Sequence, residues 1–269
     1  MITIIIAVVF AAAVAAGAHY GLDWGVVGTS FAGLLGFGVF QGVFGVCIQK
    51  KVKRDMEGVQ RILAAGQKKL QEKMQRWQLR PPGSIQAAQK EIFEDTKVFV
   101  REAIREVDVL GKYRGWVPMI DRQIATAKLQ LNWMIKEFKV VDQLMPKALM
   151  IDPTMAAMKM ARMYTLGEKS DAIEKVYKKA AGRVKYNGNV LLAATMSWIQ
   201  VQREEVDAAF KTLTEALKKS ADATLKRNHE LLMNNRVAHF SNSQLGDQWY
   251  TLYLEEPKVR TQRQRSVYR

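Results

Sequence analysis

Asp23 is the only Asp, Glu, Lys or Arg in the first 48 positions, and it separates two apolar runs, 1–18 and 25–48. Lys50, Lys51, Lys53 and Arg54 follow at once. A run of about 20 mainly apolar residues is long enough to cross a bilayer as a helix. In hydrocarbon every backbone N–H and C=O must be satisfied within the segment, which leaves helix as the conformation for both runs. The link between them, 19–24, is short, so they are expected to be antiparallel neighbours in a transmembrane hairpin covering 1–49. Lysine and arginine gather on the cytoplasmic side of membrane helices. The flank after Ile48 therefore puts the rest of the chain, and the N-terminus with it, in the cytoplasm. Alanines at 12–18 offer small residues of the signal-cleavage type, but no charged segment precedes the apolar run. Losing the first helix would in any case leave the second as an anchor.

Small residues recur at four-residue spacing in the first run, at Ala7, Ala11 and Ala15, and the second carries Gly38-x-x-x-Gly42 among Gly33, Gly36 and Gly45. Small side chains let helix backbones approach closely in lipid. Gly38 and Gly42 are the expected packing positions, within the hairpin or between copies in a homo-oligomer. Neither span holds an Asp, Glu, Lys or Arg, the groups that mark ion and proton paths through membranes. A pump or transporter is disfavoured for that reason.

The 41 basic and 26 acidic residues are unevenly placed. Residues 49–80 hold ten basic and three acidic groups, and 257–269 hold Lys258, Arg260, Arg263, Arg265 and Arg269 with no acid, leaving the middle nearly balanced. Residues 50–79 read as a helix with Met56, Val59, Leu63, Leu70 and Trp77 near a 3-4 spacing and Gly66 in the same seam. This helix is open to three readings: a short coiled coil, a basic amphipathic helix on anionic lipid through Lys50, Lys51, Lys53, Arg54, Lys68 and Lys69, or a solvated stalk. Arg80-Pro81-Pro82-Gly83 cannot continue it, so 50–83 is expected to be a juxtamembrane helix with its linker and 84–256 a separate domain. The tail 257–269 is expected to be disordered. It suits phosphate-rich partners, with anionic lipid favoured over nucleic acid because no aromatic-basic interleaving accompanies it.

Helical spacing resumes at 84–110, pauses at Gly111, Gly115 and Pro118, and continues from Met119 onward. No strand-type alternation is present, so the fold class is all-α. A period near 34 residues runs through 119–219. Ala148, Ala181 and Ala216 fall near three helix ends, and Tyr164 and Trp198 are equivalently placed one unit apart. Polar turns at 167–170 and 202–204 lie between, making each unit a helix, a short turn and a helix. A pair of this kind buries its apolar stripe only by stacking on neighbours.

The ending Ala148-Leu149-x-x-Asp152-Pro153, with Tyr164, Trp198, Ala161 and Ala194 as first-helix packing positions, resembles the tetratricopeptide repeat family over about 119–219. The resemblance implies a concave groove that holds a peptide or a partner helix, and no chemistry. Pro146 departs from the pattern and should break the second helix of the first unit. A helical bundle outside that family remains the alternative architecture. Residues 221–232 read as a further helix. Ser241-x-x-Gln244 matches a capping box, which would start a short helix placing Leu245, Trp249 and Leu252 on one face, expected to dock on the array.

Catalytic signatures are missing. The chain has no phosphate-binding glycine loop, no Gly-x-Ser-x-Gly and no His-Glu-x-x-His. Its three histidines, His19, His229 and His239, have no ligand partners in sequence, and Cys47 is the only cysteine. No cofactor or metal is expected. The sequence thus points to a membrane-anchored, non-enzymatic scaffold presenting a protein-binding helical domain, located in a bacterial inner membrane with both termini cytoplasmic. The competing reading is an oligomeric membrane-organising protein that grips anionic lipid through its basic segments.

Overall fold

The computed structural model describes residues 2–79, 82–184 and 186–257. All regular structure among them is helical: α1 (Ile2–Leu22), α2 (Val26–Leu79), α3 (Ile85–Val109), α4 (Ile120–Met134), α5 (Phe138–Leu144), α6 (Pro153–Thr165), α7 (Ser170–Ala181), α8 (Val190–Gln202), α9 (Val206–Leu217), α10 (Ala223–Met233) and α11 (Asp247–Tyr250), with short 3-10 turns between some of them. The helices form two compact units, one ending at Leu149 and the other beginning at Met150.

In the first unit α1 and α2 pair as the apolar hairpin, turning at Asp23 with φ +50°. Their outer faces carry large exposed apolar side chains, among them Ile5, Val8, Val9, Leu34, Val39 and Val43. A core helix of a water-soluble protein would bury such side chains, whereas most of each span is exposed. These are membrane-associated helices. The close approach between them is made by Gly33 and Gly36. A Cβ at Gly33 would meet the Ala15 Cβ at 3.3 Å, and one at Gly36 would meet Val14 at 3.2 Å. Ala7 is fully buried. Gly38 and Gly42, the pair expected to do this packing, have no atom within 4 Å of a Cβ built on them and face away from α1. Nothing else in the unit covers them.

Residues 50–79 are not a separate stalk. The second span and the basic helix are one uninterrupted α2 of 54 residues, about 80 Å at 1.5 Å per residue. Beyond the membrane α3 runs back along it, antiparallel. Asp55 accepts a hydrogen bond from the Tyr113 hydroxyl (2.9 Å), Gly66 lies under the Phe99 ring, and Lys73 bridges Glu91 and Asp95 (2.5 Å each). The chain change at Gly83-Ser84 is therefore a hairpin corner inside one unit, not a domain boundary. Ser84 caps α3 by accepting the Ala87 N–H at 3.1 Å, as serine does at helix starts. α4 packs on α3, and the core they share with α2 contains Val59, Val100, Ala103, Val107, Leu110, Tyr113, Ile120 and Ile124. Lys128 pairs with Asp108 across the α3–α4 contact.

In the second unit α6 pairs with α7 and α8 with α9, while α6 also lies beside α8 and α10 beside α9. α8 is apolar on all sides, and every residue from Leu191 to Gln200 is buried. A helix apolar all round belongs at the centre of a unit, and its 13 residues are too few to span a membrane.

Four helix ends share one turn. α4, α6, α8 and α10 each finish with a left-handed residue, at Lys136 (φ +59°), Gly167 (φ +75°), Glu204 (φ +62°) and Asn235 (φ +54°). After each, the next N–H reaches back to the helix: Glu137 to Asn132 O (3.0 Å), Glu168 to Met163 O (2.9 Å), Glu205 to Gln200 O (2.9 Å) and Arg236 to Leu231 O (2.8 Å). This is the Schellman arrangement, which satisfies carbonyls that the helix end leaves open.

Candidate functional site

Lys50, Lys51, Lys53 and Arg54 are all exposed on the turns of α2 that follow the apolar span. At the same level the segment after α3 adds Lys112 and Arg114. Lys112 is paired with Asp55 (2.7 Å) and Arg114 with Asp121 (2.7 Å). The Lys112 ammonium holds the Asp55 carboxyl below the ordinary carboxylate range, with the Tyr113 hydroxyl helping and burial opposing. Lys68 and Lys69 are exposed too, but they lie about 30 Å of helix beyond Ile48. The basic set expected to grip lipid is thus spread along one continuous helix.

Farther from the span, a groove of about 920 Å³ runs between α2 and α3. Arg61, Lys69 and Arg76 line its α2 wall, and Asp95, Glu102 and Glu106 line its α3 wall. Phe99 also lines it.

In the second unit the packing positions expected from the 34-residue period meet. Tyr164 and Trp198 are in edge-on contact, with ring centroids 5.3 Å apart and planes at 78°. The turns of the two hairpins are stitched together. Arg203 donates to the Ser170 hydroxyl (2.7 Å) and to Glu168 O (2.5 Å), Ser170 donates to Glu205 (2.5 Å), and the Arg203 guanidinium lies over the Tyr164 ring. Ala216 is buried near the end of α9, and Ala181 is half-buried as the last residue of α7. Ala148 is not in a helix. α5 stops at Leu144 after seven residues, because Pro146 cannot donate the N–H that a continuing helix needs. Asp152 and Pro153 begin α6: the Asp152 carboxylate accepts the Thr154 N–H (3.0 Å) and Pro153 occupies the first helical turn, where proline is well tolerated.

The C-terminal aromatic segment is docked on α8. Trp249 is fully buried and packs edge-on to Trp198 at 5.8 Å. Glu255 receives both indole N–H groups, Trp198 at 2.8 Å and Trp249 at 2.7 Å. A buried chain of amides reinforces this, with Asn228 donating to Asn242 (2.8 Å) and Asn242 to Ala194 O (2.9 Å). The expected capping box does not form. Ser241 accepts from the Ser243 N–H (3.3 Å), and α11 starts only at Asp247. Tyr177, buried on α7, has its hydroxyl pushed up to about 12 by desolvation and the nearby Glu215. The basic tail residues Lys258, Arg260, Arg263, Arg265 and Arg269 lie outside the described residues.

Among the described residues no group of three or more His, Cys, Asp or Glu could hold a metal ion. His229 is stacked on Phe210 and hydrogen-bonded to the Thr214 hydroxyl (2.9 Å), and Cys47 is exposed on the second span. The chain matches no family model, no curated protein and no solved structure.

Two features that carry the architecture are silent in the sequence. Of the four left-handed turn residues only Gly167 and Asn235 are of the types that favour that conformation, so Lys136 and Glu204 gave no signal. Glu255 is one of two adjacent glutamates before Pro257 and shows its role only once Trp198 and Trp249 converge on it.

Proposed function

We propose that this chain is a membrane-anchored, non-enzymatic adaptor, whose helical hairpins form a tetratricopeptide-like array presented at the cytoplasmic face to bind a protein partner. The observation that carries this reading is the recurring turn. The same left-handed closure ends α4, α6, α8 and α10, and in the second unit it sets α6–α7 and α8–α9 as consecutive hairpins with their first helices side by side. Arrays built in this way expose an extended surface suited to peptides and helices. The side chains of the second unit are engaged in packing and stitching rather than converging on a reactive centre, which suits binding better than catalysis.

Two linked measurements test it in the full-length chain. A reporter fused after Arg269 that is active only in the cytoplasm should give signal; a periplasmic or lumenal signal refutes the placement. An affinity-tagged chain crosslinked in native membranes should carry a stoichiometric protein partner that is lost when residues 150–269 are deleted. Retention of that partner by the deleted form would refute the array as its binding site.

The second reading, a membrane-organising protein, is favoured by one observation. Lys50, Lys51, Lys53 and Arg54 are all exposed at the end of the span, where each basic residue near an anionic surface contributes about 1 kcal/mol. Exchange of these four for glutamine should then abolish any preference of the chain for anionic over neutral bilayers.

A further inference from the structure

We propose that residues 114–119 form a third membrane contact, a loop that enters the interfacial layer of the bilayer beside the hairpin and takes lipid as its partner. The inference rests on reading α1 and α2 as spans.

The depth of the loop follows from its bonds. α1 has 21 residues, about 32 Å of helix, so its two ends mark the two faces of a hydrocarbon core about 30 Å thick. The loop is attached at one of those ends. The Ile2 N–H donates to Gly115 O at 3.0 Å, and the Thr3 hydroxyl donates to Trp116 O at 3.4 Å. Gly115 permits this closeness, since a Cβ there would meet the Ile2 side chain at 2.8 Å. Trp116 continues a row of rings rising out of the span, with Phe10 on Phe40, Phe40 on Phe44 and Phe44 on Trp116, at 5.3, 5.4 and 5.5 Å between centroids.

Its composition matches that depth. Trp116, Val117, Pro118 and Met119 are consecutive, and Met119 at the tip is 56% exposed in a left-handed conformation (φ +64°). Charged residues bracket the apolar tip, with Lys112 and Arg114 before it and Asp121 and Arg122 after it. Tryptophan favours the membrane–water boundary. Non-helical backbone is tolerated at that depth only when the protein satisfies its polar groups, and this loop meets that demand. The N–H groups of Trp116 and Val117 both donate to Tyr113 O at 2.9 Å, the carbonyls of Gly115 and Trp116 are taken by α1, and Pro118 has no N–H. Between the loop and the two spans lies a cleft of about 570 Å³, lined on its apolar side by Ile4, Phe44, Ile48, Val117 and Met119 and on its polar side by Gln41, Gln49, Arg114 and Asp121. In a bilayer that apolar side takes up an acyl chain.

The experiment uses the full-length wild-type chain in nanodiscs of phosphatidylcholine and phosphatidylglycerol whose acyl chains carry a photoactivatable diazirine. Trypsin cuts after Arg114 and Arg122 and releases the loop as peptide 115–122. Peptide 62–68, cut after Arg61 and Lys68, lies well out along α2 and serves as the aqueous control. Lipid adducts are expected on 115–122 at a yield within severalfold of the hairpin peptide and far above 62–68. Labelling of the hairpin with 115–122 no higher than the control overturns the loop contact and leaves the spans intact. Absence of label from the hairpin as well overturns both. As a second readout, Met119→Glu should sharply reduce labelling of the loop peptide while hairpin labelling persists; undiminished labelling contradicts the assigned depth.

Discussion

Replacing Gly66 by alanine should destabilise the first unit even though alanine is the better helix former. Gly66 lies inside α2, where the exchange alone would gain about 1 kcal/mol. Against that, a Cβ at this position would stand 2.3 Å from Cγ of Phe99 and 2.5 Å from the adjoining ring carbon, far inside contact distance. Phe99 is half-buried and has some freedom to swing, so the cost falls within the usual overpacking range of about 1–3 kcal/mol. The net is a loss of about 1 kcal/mol, which for a unit of this size lowers the midpoint by about 3 °C. The sign should reverse in a Phe99→Ala background, where the ring is gone and only the helix preference remains. There Gly66→Ala should stabilise by about 1 kcal/mol, giving a coupling of about 2 kcal/mol between the two positions, of the size expected for contacting residues. Thermal unfolding of the four full-length proteins in one detergent, followed by far-ultraviolet circular dichroism, reads all of this. If Gly66→Ala raises the midpoint in the wild-type background, or shifts it equally in both backgrounds, the packing of α3 on α2 through this glycine is refuted.

Four further outcomes are expected. Glu255→Ala leaves the indole N–H groups of Trp198 and Trp249 without their acceptor, at about 1–3 kcal/mol each; proteolysis at 240–257 should accelerate, while Glu255→Gln, which keeps one acceptor, should fall between. Tyr177 titrates near 10 when unfolded and about 12 when folded, so the unfolded state loses its proton first and stability falls as pH rises through that window, by about 1.4 kcal/mol per unit at most; Tyr177→Phe should flatten this slope in alkaline unfolding curves. Glu204→Gly removes the strain of a left-handed glutamate (φ +62°) and should raise the thermal midpoint, with a gain of up to about 1 kcal/mol; a lowered midpoint would contradict the assigned turn. In the hairpin, Gly36→Leu should drive Val14 away and lower the midpoint in detergent, whereas Gly42→Leu, which meets no atom of α1, should leave the hairpin contact intact.

Much of the architecture was legible because its signals are local. The turn between the two apolar runs, the break at Pro82-Gly83, the pause at Gly111–Pro118 and the helix restart after Met119 all coincide with observed boundaries. Periodicity also placed Tyr164 and Trp198 in equivalent positions, and they touch. What the sequence could not show is which helix a given face meets. Val59, Gly66 and Leu70 read equally well as a coiled-coil seam, a lipid-binding face or a stalk, and only the return of α3 decides among them. Glycines in a span likewise give no direction: Gly33 and Gly36 meet α1, while the more conspicuous Gly38 and Gly42 turn away. The capping box at Ser241 failed because the polar chain from Ala194 through Asn242 to Asn228 holds that segment in another course.

The continuity of α2 makes the membrane and the bundle parts of one shaft. The 54 residues have no hinge at Gln49-Lys50, so a rotation of the span about its axis is delivered to the bundle as torque instead of being absorbed. The phase between the two is set by residue count. Inserting one residue there would turn the bundle by about 100° and lift it about 1.5 Å, separating Ile2 from Gly115. Inserting seven would restore the phase to within about 20° while raising the bundle by about 10 Å. The chain therefore encodes an angular register between the lipid and the helices of the first unit as well as an attachment, and a motion of the span can reach those helices as a twist.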